Sequence, residues 1–150
     1  MMRNRSLSIA LLLSGVWVGV TASAADLKSP ELVKTSLRIF AGVYADMSRK
    51  LAAQQYDRLP HENQEFQEGA QAMRDAIAGE PAAFKAKVEP VLATTLAASA
   101  HVADVSKSHD AGQVTAALGA LADRMKELNA LFPEGLRTLP GSVGPPHAGP

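Results

Sequence analysis

The 150-residue chain contains no cysteine. Disulfides, thiolate metal sites, iron–sulfur clusters, thiol nucleophiles and thioether-attached haem are excluded together. Aromatic residues make up only 5%, with a single tryptophan, Trp17. Neither sign of charge is in excess, because 15 lysines and arginines face 15 aspartates and glutamates. Without a basic surplus there is little to hold a phosphate backbone, and nucleic-acid binding is not expected. No apolar run reaches the ~20 residues that span a bilayer, and no segment alternates polar and apolar residues as a half-buried strand does. What remains is a chain of ordinary hydrophobic content, 47%, long enough for one domain.

The first residues read as an export signal. Arg3 and Arg5 precede an apolar run over residues 7–20, and Thr21-Ala22-Ser23-Ala24 supplies the small-x-small pattern of a peptidase site. The pattern predicts cleavage before Ala25, removal of residues 1–24 and a periplasmic product with no membrane anchor after processing. Loss of two arginines leaves 13 basic against 15 acidic residues, a net charge of −2.

Four stretches then carry apolar residues at helical spacing. From Pro30 to about Gln55 they fall at Val33, Leu37, Phe40, Tyr44, Met47 and Leu51, in steps of 4 and 3 that keep one narrow face. A second stretch has Asp57 as its expected N-cap and shows Leu59, Phe66, Ala70, Met73 and Ile77. It is expected to stop at Gly79 in the left-handed conformation, with Pro81 beyond. The third shows Phe84, Val88, Val91, Thr95, Ala98, Val102 and Val105, with Pro90 inside it and a kink expected there. Ser108 or Asp110 caps the fourth, which reads Val114, Leu118, Leu121, Met125, Leu128 and Phe132.

Amphipathic helices joined by short turns bury their stripes against one another, so the expected fold is all-α, an up-down-up-down four-helix bundle over residues 25–137. Half of the last eighteen residues are proline or glycine. Residues 138–150 are therefore expected to be a disordered tail.

The segment from Ala82-Ala83-Phe84-Lys85-Ala86 to Arg137 resembles the last two helices of periplasmic cytochromes of the c-prime type. The turn Asp110-Ala111-Gly112 and the closing helix through Ala117-Leu118 carry the likeness further; the first two helices match in length and pattern only. Such cytochromes place Cys-x-x-Cys-His near the end of the last helix. This chain reads Asn129-Ala130-Leu131-Phe132-Pro133 there. The resemblance implies a bundle that kept the scaffold without covalent haem. The cytochrome b562 group shares the bundle more distantly and implies, as an alternative, an electron-transfer protein that binds haem non-covalently.

Met47, Met73 and Met125 lie on the stripes, where thioether sulfur serves either as core filler or as a soft ligand to copper or haem iron. His101 stands at the same height as Met47, about eight residues from its turn against nine, and the two form a candidate axial pair for haem. Angles oppose the pairing, since His101 lies roughly 90° from its stripe centre at 100° per residue. His109 sits at a helix end as a charge partner. His61-Glu62-Asn63-Gln64-Glu65 begins like a zinc-protease motif, but the second histidine is replaced by Glu65, which leaves a surface pair. No carboxylate occupies a stripe centre, although Glu62 comes within about 50° of one. The serines sit in no nucleophile elbow.

The reading is therefore a non-catalytic periplasmic binding or interaction protein. Its partner is a protein or small ligand the sequence does not identify, and a homodimer through the first helix is one option, using the small residues Ala41, Ala45 and Ala52. The alternative is a non-covalent haem or metal carrier using Met47 and His101.

Overall fold

The computed structural model describes residues 26–141. The expected export signal, its cleavage site before Ala25 and residues 142–150 of the expected tail lie outside the described residues.

All four helices form: α1 (Pro30–Ala52), α2 (Leu59–Ala76), α3 (Ala82–Val105) and α4 (Ala111–Ala130), with no strand among the described residues. Each packs on its neighbours in the chain, and α1 closes the ring against α4, so α1 stands diagonally from α3 and α2 from α4. The fold is the all-α four-helix bundle that the stripes require. On α2 and α4 every stripe residue is buried, and on α1 only Tyr44 and Leu51 reach the edge of the core.

Helix α3 departs from the expected face. Its buried seam is Val88, Leu92, Thr95, Ser99, Val102 and, in the short 3-10 turn that follows, Ser106, again in steps of 4 and 3. Phe84, Val91, Ala98 and Val105 lie at the margin. This helix is apolar on several sides, so periodicity alone cannot choose the face. The small hydroxyls win because each finds an acceptor: Thr95 on the Val91 carbonyl at 2.7 Å, Ser99 on Asn63 Oδ1 at 2.9 Å and Ser106 on the Ala103 carbonyl at 2.8 Å. Helix α3 runs uninterrupted through Pro90; Pro90 and Ala86 both lie on the exposed side, where the freed carbonyl meets water.

Two end signals are corrected. A 3-10 turn, Tyr56–Arg58, leads into α2, and Asp57 does not cap it. Gly79 is not left-handed; the residues with positive φ in the helix connections are Gln54 (56°) and His109 (55°). At the end of α1 the Gln55 and Gln54 amides donate to the carbonyls of Lys50 and Leu51, at 2.8 and 2.9 Å. That pattern requires a left-handed residue, here supplied by Gln54. Asp110 does cap α4, its Oδ1 accepting from the amides of Gly112 and Gln113 at 2.8 and 3.1 Å.

Both ends of the described chain are tied to the body. Before α1, Leu27 is buried, and the Lys28 amide donates to Glu80 Oε1 at 2.6 Å. After α4, Leu136 is buried in the 3-10 turn Glu134–Leu136, which packs against α1. Beyond it, Arg137 Nε donates to the Phe132 carbonyl, and the Thr138 amide donates to Asn129 Oδ1, both at 2.8 Å. The expected tail thus begins with a residue that the body holds.

Candidate functional site

The α1–α2 connection brings together two residues at equal distance from Tyr56. Lys50 lies six positions before it and Glu62 six after, and in the antiparallel hairpin their side chains form an ion pair. Glu62 is 1% exposed, while the Lys50 side chain keeps 24% of its surface in water. Glu62 Oε2 is buried and has no hydrogen-bond partner. Helical-wheel reasoning undervalued this carboxylate. The signal that could have found it was its symmetric spacing with Lys50 about the turn.

The same end of the bundle is clasped by its two connections. The rings of Tyr56 and His109 stack with centroids 5.2 Å apart, and His109 Nε2 lies 3.1 Å from Asp57 Oδ1. Asp57 and His109, expected as a cap and a solvated end charge, instead join the α1–α2 connection to the α3–α4 connection.

Met47 and His101 are not brought together. Met47 is fully buried on α1. His101 is exposed on the diagonal helix and lines an open groove of about 330 Å³ with Val105, Gln113, Ala116, Ala117 and Ala120. In the interior Phe40 packs on Phe66 with centroids 4.6 Å apart, and at the margin Phe84 meets buried Phe132 edge-on at 5.9 Å. A haem held by both residues does not fit this arrangement. Met73 and Met125 are buried as well, and His61 pairs with Glu65 at 3.3 Å on the surface. Among the described residues no three histidines or carboxylates converge on one point.

The outer face of α1 is the other notable feature. Leu32 is 57% exposed and Ile39 36%; with Leu139 they are the large exposed apolar side chains of the described residues. Leu32 and Ile39 are seven residues apart and so share a face, with Thr35 and Gly42 beside them. A Cβ added at Gly42 would meet nothing within 4 Å, so the helix surface is open there. The expected small-residue face is not the one presented, because Ala41 is fully buried and Ala45 half-buried, leaving Ala52 exposed. Comparison with protein families, curated proteins and solved structures finds no match to this chain.

Proposed function

We propose that this chain is an exported, non-catalytic interaction protein of the periplasm, built on a c-prime-like bundle without covalent haem, and that the outer face of α1 is its contact surface. The observation that carries the reading is Leu32 on α1, a large apolar side chain 57% exposed, with Ile39 seven residues on, 36% exposed and packed on its other side toward Gly69 of α2. The non-catalytic part is supported by how the reactive groups are used. Ser36, Ser48, Ser106 and Ser108 donate their hydroxyls to nearby helix carbonyls, and Ser99 donates to an amide oxygen, so none of these faces a base. One oxygen of the buried Glu62 is tied to Lys50. No described helix is long and apolar enough to cross a membrane.

A photoreactive amino acid placed at position 32 or 39 tests the contact surface in exporting cells, with the exposed position 67 on α2 as control. Covalent adducts are expected from 32 and 39 and not from 67. Their absence from both α1 positions would overturn the reading. Intact mass of the periplasmic product tests export, with a chain starting at Ala25 expected.

A further inference from the structure

We infer that the leader is removed only while Leu27 is undocked, and that folding of the body then closes residues 27–28 over the start of the chain as a strap. The inference rests on the reading of residues 1–24 as a leader cut before Ala25. Its ground is how firmly the first described residues are held. Leu27 is buried in the main core. The Lys28 amide donates to Glu80 Oε1 at 2.6 Å, and Glu80 is itself buried in the α2–α3 connection. The Lys28 stem lies across Gly79, its Cδ 3.2 Å from the place a Cβ would take. One residue on, the Ser29 carbonyl accepts the Val33 amide and α1 begins. A buried side chain, a bonded amide and a seated stem thus tie the strap to a connection 52 residues further along the chain.

Distance turns this anchoring into a block. A chain spans at most about 3.3–3.6 Å per residue. The Ala24–Ala25 bond therefore lies within about 10 Å of Leu27, and the apolar run ending at Val20 within about 25 Å of it. A peptidase takes residues on both sides of the scissile bond into its cleft as extended chain. With Leu27 docked, the residues on the product side are held by the body, and a bundle whose first helix is about 35 Å long stands against the enzyme. Cleavage must then wait for local opening of the strap, and its rate falls with the population of the open form. Before docking, the same residues are accessible. The cut is a hydrolysis in which water adds across the Ala24–Ala25 bond, leaving a carboxylate on Ala24 and an ammonium on Ala25. Docking of Leu27 follows it.

Timed processing of the full 150-residue precursor by a purified leader peptidase in detergent micelles is the test. Precursor diluted from urea straight into the enzyme presents an undocked strap; precursor refolded first presents a docked one. Refolding should slow the cut at least ~10-fold, because only the open form is cleaved. Glu80→Ala removes the acceptor of the Lys28 amide without touching residues 21–28, and Leu27→Ser removes the buried anchor. After refolding, with far-UV circular dichroism showing a helical body, both variants should regain most of the rate. On direct dilution both should be cut like wild type. A refolded wild-type precursor cut as fast as the freshly diluted one overturns the inference, as do folded variants that stay as slow as refolded wild type. If no cut before Ala25 occurs even on direct dilution, the export reading fails and takes the inference with it.

Discussion

Lys50 and Glu62 form an ion pair whose two members are unequally buried, the carboxylate sealed and the ammonium partly in water. Removing one partner of a buried pair costs about 3–5 kcal/mol when the other is left charged and dry. Lys50→Ala strands Glu62 and should approach that range. Glu62→Ala frees an ammonium that can swing into solvent, and should cost clearly less. Urea unfolding of both variants checks the order; equal losses would mean that Lys50 is as confined as Glu62.

Glycine substitutions should diverge by site. A Cβ at Gly69 would lie 2.9 Å from Ile39 Cγ2 and 3.1 Å from the Phe40 ring, where α1 and α2 approach closely. Gly69→Ala should therefore destabilise by about 1–3 kcal/mol through overpacking. Gly119 is exposed with nothing within 4 Å of its Cβ position, and Gly119→Ala should stabilise by about 0.5–1 kcal/mol. Paired thermal melts settle both signs.

Core and tail should also separate. Leu121 is fully buried, and Leu121→Ala is expected to cost about 2–5 kcal/mol. Truncation after Arg137 removes the Thr138 amide from Asn129 and should cost about 1 kcal/mol. Truncation after Phe132 also strips away buried Leu136, at about 1.5–3 kcal/mol more. Denaturant midpoints of the three variants test the ranking, which fails if both truncations are silent.

Asp110 links stability to acid. Its carboxyl is held below the ordinary aspartate range, first by the Gln113 amide, then by the Gln113 side chain and the Gly112 amide. A carboxyl lowered on folding contributes fully above its unfolded value, about 3.9, and loses that contribution as pH falls through the lower folded value. Wild type should therefore lose melting temperature below about pH 4 more steeply than Asp110→Asn, which keeps an amide cap with no charge to neutralise. Parallel acid profiles for the two proteins would refute the assignment.

The sequence by itself determined the class of fold. Apolar steps of 4 and 3 on α1 and α4, and of 7, 4, 3 and 4 on α2, admit only helices with one buried stripe, and short connections make neighbours antiparallel. A cap at Ser108 or Asp110 was legible too, because capping is decided within four residues, and the structure places it at Asp110. Tertiary structure decided what depended on partners distant in sequence. The buried face of α3 turned on whether Thr95 and Ser99 found acceptors, one of them Asn63 on another helix. The burial of Glu62 turned on Lys50 reaching it across the hairpin. The separation of Met47 from His101 turned on α1 and α3 being diagonal, which equal heights along two helices do not specify. Periodicity reports how each helix would bury a face, and only the packed bundle determines which side chains meet there.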